Sequence, residues 1–77
     1  MRSDLPDDLL AYRRHVANQI RDLRKAAGLT QQELADRASL EKQAVSQIEN
    51  AHVSPRLDTL WNLARAMDVG VDKLVHE

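Results

Sequence analysis

The 77-residue chain has no cysteine and no phenylalanine, and it holds only two glycines, two prolines, one tyrosine and one tryptophan. Without cysteine there is no disulfide framework, thiolate metal site or cysteine nucleophile. Small secreted domains usually need such staples, so a reducing, cytoplasmic setting is expected. No apolar run approaches the ~18 residues of a membrane span, and the opening MRSDLPDD is acidic, without the basic-then-apolar order of a signal peptide. An excess of charge of one sign is also missing: 11 Lys and Arg stand against 12 Asp and Glu, for a net charge of −1 and a pI near 6.3. The overall charge therefore gives no hint of a nucleic-acid partner. Length excludes two domains, and a dinucleotide-binding half alone would use most of the chain.

What is present is aliphatic. Hydrophobic residues make up 43% of the chain, mostly Leu, Ala and Val, and charged residues 30%, a balance too apolar for disorder and suited to a small helical bundle. Between Pro6, Gly28, Pro55 and Gly70 the apolar residues recur at helical spacing. Leu5, Leu9, Tyr12, Val16, Ile20, Leu23 and Ala27 form one stripe, which predicts a first helix beginning between Leu5 and Tyr12 and ending at Ala27, with Gly28 as its stop. Thr30-Gln31-Gln32-Glu33 has capping-box spacing and predicts a second helix over Gln31 to Ala38. A break at Ser39 to Glu41 precedes a third helix, Lys42 to Asn50, with Ala44, Val45 and Ile48 inward. Pro55 suits the first turn of a fourth helix ending near Met67, with Leu57, Leu60, Leu63, Ala64 and Met67 as its apolar stripe. Gly70 to Val75 makes a short fifth helix that returns Val71, Leu74 and Val75 to the core.

Two short helices joined by a tight turn have the dimensions of a helix-turn-helix. On the third helix Lys42, Gln43, Ser46, Gln47 and Asn50 share a polar face opposite Val45 and Ile48. Amides, a hydroxyl and a cation are the groups that base edges require, yet any solvated helix face can look like this, so the wheel leaves both readings open.

The run Ile20-Arg21-Asp22-Leu23-Arg24-Lys25-Ala26-Ala27-Gly28-Leu29-Thr30-Gln31-Gln32-Glu33-Leu34-Ala35 resembles the opening of the Cro/C1 (XRE-type) helix-turn-helix regulators, the phage-repressor-like family. Val45-Ser46-Gln47-Ile48-Glu49-Asn50 resembles the end of the family's recognition helix. Pro55, Leu57, Thr59, Leu60, Leu63, Ala64, Met67, Val69 and Leu74 resemble its fourth and fifth helices. The resemblance covers about residues 16–75. It implies an all-α, five-helix lambda-repressor-like domain over 16–77, with residues 1–15 as a helical extension of helix 1.

Residue by residue, the resemblance implies an ion pair between Arg24 and Glu49, phosphate contacts from Gln31, Asn50 and Arg56, and base reading by Lys42, Gln43 and Gln47, with Ser46 beside them. It implies a sequence-specific regulator that binds double-stranded DNA as a homodimer on a palindromic operator and represses by occlusion. The alternative it leaves open is an antitoxin-type module that neutralises a partner toxin and represses its own operon. Trp61 lies at the edge of the fourth helix's stripe, where it either closes the edge of the small core or, with Val69, Val71 and Val75, forms the candidate dimer patch.

Three positions depart from the family pattern: Ser39 and Ala51 stand where glycine is common, and Glu41 where Ser or Thr caps the third helix. A carboxylate at Glu41 suits the helix dipole but repels phosphates unless it accepts from a cytosine N4. Residues 26–49 carry Arg37 and Lys42 against Glu33, Asp36, Glu41 and Glu49, a lightly acidic reading surface. His15, His52 and His76 are scattered without metal-ligand spacing, and Asp7 and Asp8 stand at a helix start without a nucleophile, so no metal, cofactor or enzymatic activity is expected. The register of Leu5, Leu9 and Tyr12 with the helix 1 stripe predicts their burial, against their own domain or a second copy.

Overall fold

A computed structural model of the chain describes residues 6–77 and shows five helices: α1 (Asp7–Ala26), α2 (Gln31–Ala38), α3 (Lys42–Glu49), α4 (Leu57–Ala66) and α5 (Asp72–Val75). No strand occurs among the described residues. α1 is continuous for 20 residues, its start favoured by Asp7 and Asp8 and its end by Arg24 and Lys25, each charge complementing the helix dipole. At α2 the capping box is complete: the Thr30 hydroxyl accepts from the Glu33 N–H at 3.0 Å, and the Glu33 carboxylate accepts from the Thr30 N–H at 2.9 Å.

Four helices stop in the same way. Gly28, Ser39, Ala51 and Asp68 all take left-handed backbone, with φ of 74°, 58°, 57° and 59°. The next residue's N–H then reaches back to a carbonyl of the last turn: Leu29 to Arg24, Leu40 to Ala35, His52 to Gln47 and Val69 to Ala64, all at 2.8–3.1 Å. Leu29 is buried, and Leu40 and Val69 are half-buried against the core, so three of the four turns also fold an apolar side chain inward, while His52 is exposed. Glycine has no side chain to resist this conformation; Ser39, Ala51 and Asp68 hold it despite theirs.

The core is formed by Val16 and Ile20 of α1, Leu34, Ala35 and Ala38 of α2, Val45 and Ile48 of α3, Leu63 and Ala64 of α4, and Met67, Leu29 and Leu74. α2 packs between α3 and α4, while α1 packs on α3 and α5. Side chains of α1 also clasp the end of α5. The Tyr12 hydroxyl donates to the Val75 carbonyl, Gln19 Nε2 donates to the Lys73 carbonyl at 3.2 Å, and His15 Nε2 lies 2.6 Å from the His76 carbonyl. These carbonyls have no partner further along a four-residue helix, so α1 satisfies what α5 leaves open.

Three expectations need correction. Leu57 is not a core residue: it is 73% exposed, because it opens α4 at the edge of the arc that Leu60, Leu63, Ala64 and Met67 turn to the core. Leu9 is not buried within the domain: it is 41% exposed on the rim of a 170 Å³ groove that Tyr12, Val16, Pro55, Leu60 and Val75 also line. Tyr12 is half-buried, and Leu5 lies outside the described residues. Pro55 is not in the first turn of the fourth helix, since α4 starts at Leu57 with Arg56 as its extended N-cap residue.

Candidate nucleic-acid interface

α2 and α3 are eight residues each, joined by Ser39, Leu40 and Glu41. The left-handed Ser39 turns the chain sharply enough for α3 to leave at an angle, and Leu40 anchors the turn on the core. Val45 and Ile48 hold the inner face of α3, and the opposite face stands in solvent. Lys42, Gln43 and Gln47 are exposed on it, and Ser46 is half-buried. The structure thus brings Lys42, Gln43 and Gln47 together on one open helical surface.

The remaining polar residues of this region are partly committed to each other. Asn50 ends α3, its Nδ2 donating to the Ser46 carbonyl at 2.8 Å and to Ser46 Oγ at 3.3 Å. Gln31, at the start of α2, turns its Nε2 to Glu49 Oε1 at 3.2 Å. Its side chain is therefore partly engaged within the protein. The backbone N–H groups of Gln31 and Gln32 head α2, while those of Glu33 and Leu34 are already bonded to Thr30. Arg56 is exposed beyond the loop that follows α3.

Behind α3 lies an ion pair. Arg24 Nε donates to Glu49 Oε2 at 2.7 Å, its second terminal nitrogen donates to Glu49 Oε1 at 3.0 Å, and its first donates to the Leu29 carbonyl at 2.8 Å. Glu49 is 1% exposed. A buried carboxylate is stable only when paired and fully hydrogen-bonded, and here three donors converge on it. No buried side-chain nitrogen or oxygen among the described residues lacks a partner.

An independent comparison decides what this arrangement is. A family model described as Helix-turn-helix, HTH_3, matches residues 20–74. The chain belongs to this family of DNA-binding transcriptional regulators.

The regulator is similar to other helix-turn-helix proteins over most of its length. It is 35% identical over 63 residues to the HTH-type transcriptional regulator y4dJ of Sinorhizobium fredii, covering 82% of each chain. It is 36% identical to y4dL of the same organism over 80% of its own length, although it spans only 32% of that longer relative. Among solved structures it resembles the restriction-modification controller protein C.AhdI from Aeromonas hydrophila, with a TM-score of 0.81 and 30% identity over 83% of this chain and 97% of that one. It also resembles the hypothetical transcription factor NHTF from Neisseria, with a TM-score of 0.81 and 28% identity over 97% of this chain and 85% of that one. The family is not an enzyme class. Among the described residues no helix is long and apolar enough to cross a membrane, and no group of His, Cys, Asp or Glu could hold a metal ion.

One further residue, absent from the candidate set read from the sequence, holds the loop beside α3. Arg13 Nε donates to Ser54 Oγ at 2.9 Å and a terminal nitrogen reaches the Ala51 carbonyl at 3.4 Å, which braces the loop between α3 and α4 against α1. Its signal was present, because Arg13 falls within the arc of α1 that carries Val16, Ile20 and Arg24, and a charge there needs a partner.

Candidate dimer residues lie apart from α3 in sequence. Trp61 is 51% exposed, and the Arg65 guanidinium stacks over its ring at 4.8 Å. Leu57 precedes it by one turn on the same side of α4. Val69, Val71 and Val75 are half-buried against their own core.

Proposed function

We propose that the regulator binds a palindromic operator as a homodimer, placing α3 of each copy in successive major grooves about 34 Å apart, and represses by covering the promoter. The observation that carries this is the open face of α3, where Lys42, Gln43 and Gln47 stand exposed while the opposite face is locked into the core. Glutamine matches adenine N6 and N7, and lysine matches guanine O6 and N7. Ser46 reads at the edge of this set. Asn50, Arg56 and the start of α2 at Gln31 flank α3 and grip phosphates on either side.

The lightly acidic surface of residues 26–49 argues for two copies, since one reading helix with few cations gains little from counterion release. Leu57 and Trp61 supply the exposed apolar area for the dimer, with Val69, Val71 and Val75 adding their uncovered edges.

Selection of bound fragments from random DNA, at two salt concentrations, tests the proposal. The expected result is an inverted repeat with half-sites one helical turn apart, bound more weakly at the higher salt. Enrichment of no sequence, together with a stoichiometric protein partner purified from the native host, would instead favour an antitoxin-type protein contact. Trp61→Ala should shift the sedimenting species from dimer to monomer; an unchanged species would remove Trp61 from the interface.

A further inference from the structure

We infer that Glu41 is itself a base-reading residue, its carboxylate accepting a hydrogen bond from the N4 amino group of a cytosine, so that each half-site requires a C·G pair opposite the start of α3. This rests on α3 being the recognition helix. An N-cap side chain ordinarily accepts from the N–H groups of the first turn, as Thr30 does at α2. Glu41 occupies the N-cap of α3 with extended backbone, φ −79° and ψ 148°, and its carbonyl accepts from Ala44 at 3.0 Å and Val45 at 3.3 Å. Its carboxylate caps nothing and stands exposed. The one ion pair among the described residues is Arg24 with Glu49, so neither Glu41 nor the adjacent Lys42 is charge-paired.

Residues at the N-terminal end of a recognition helix are the ones that reach base edges. There an ionised carboxylate can only accept, and the donors in the major groove are the amino groups of cytosine and adenine. Adenine sets its amino group beside the N7 acceptor, which suits an amide and opposes a carboxylate. Cytosine N4 has no such neighbour on its own edge. Lys42, which can only donate, complements guanine O6 and N7, so the adjacent acceptor and donor match a cytosine and the guanine of the neighbouring pair. Thymine in place of cytosine would set its O4 acceptor against the carboxylate.

The test is DNA selection by the full chain as wild type, Glu41→Gln and Glu41→Ala, followed by titration of the selected site and of its C·G to T·A exchange at the assigned pair. Glu41 is exposed, and thermal unfolding of the variants checks that they fold. Wild type should lose about tenfold in affinity or more on the exchange, while Glu41→Ala should tolerate it within about twofold with the other positions of the motif unchanged. A Glu41→Ala motif identical to wild type at every position would overturn the inference. So would tighter binding of Glu41→Ala to all DNA alike, which would make the carboxylate a phosphate repellent and nothing more. If wild type enriches no sequence at all, the operator-binding function fails and this inference fails with it.

Discussion

Arg24 and Glu49, 25 residues apart in the chain, meet as a bidentate pair at 2.7 and 3.0 Å and join the last turn of α1 to the end of α3. A third Arg24 nitrogen holds the Leu29 carbonyl, and Gln31 adds a bond to the same carboxylate. One guanidinium thus fixes α1, the turn into α2 and α3 relative to one another.

Removing either partner leaves the other buried and uncompensated. Glu49→Ala and Arg24→Ala should each lower stability by about 3–5 kcal/mol, a large share of what a domain of this size holds. Urea unfolding followed by helical circular dichroism measures this, and a loss under about 1 kcal/mol would show that the pair does not organise the fold.

Ala51 holds φ 57° where a side chain is strained. Ala51→Gly should relieve that strain at some cost in unfolded-chain entropy, for a net gain of up to about 1 kcal/mol. The melting temperature should rise. A fall would mean that the Ala51 methyl contributes packing that outweighs its backbone strain.

Glu33 ties acid stability to the α2 cap. Its carboxyl is held below the usual glutamate range, chiefly by the Thr30 backbone N–H, then by the Thr30 side chain, with Arg37 adding to both. A carboxyl whose pKa is depressed on folding stabilises the fold above its unfolded pKa, near 4.3, and loses that contribution as pH falls through the lower folded value. The stability difference between wild type and Glu33→Gln should therefore be full at neutral pH and shrink below about pH 4. Unfolding titrations of both proteins across pH 3 to 7 check this, and a difference constant with pH would remove Glu33 from the acid response.

The helices of this regulator were legible because their signals are local. The capping box set the start of α2, and the spacing of apolar residues set the bounds of α2 and placed α3 to within one residue. Gly28 announced its left-handed turn, whereas Ser39, Ala51 and Asp68 adopt the same turn without glycine; after Ser39 and Asp68 the core docking of Leu40 and Val69 overrides the backbone preference, while His52 after Ala51 is exposed. Leu57 and Leu9 were misplaced for a related reason: periodicity tells which side of a helix is apolar but not where the core ends along it. The Arg24 and Glu49 pairing followed from the family resemblance, and α3's exposed face from its own periodicity. The brace from Arg13 to Ser54 and Ala51 joins residues about 40 apart: helical spacing turns Arg13 toward the domain, but no local pattern names the partners it meets there.

The proposed complex divides the labour, with the open face of α3 reading bases and the flanking residues gripping phosphates. Titration of Lys42→Ala and Arg56→Ala against the selected operator, the same operator with one base pair exchanged, and random DNA tests it most directly. Lys42→Ala should lose about 1–3 kcal/mol on the operator alone and become indifferent to one base pair of each half-site, while Arg56→Ala should weaken all three DNAs alike and flatten the salt dependence. Equal losses by both variants on operator and random DNA would contradict that division.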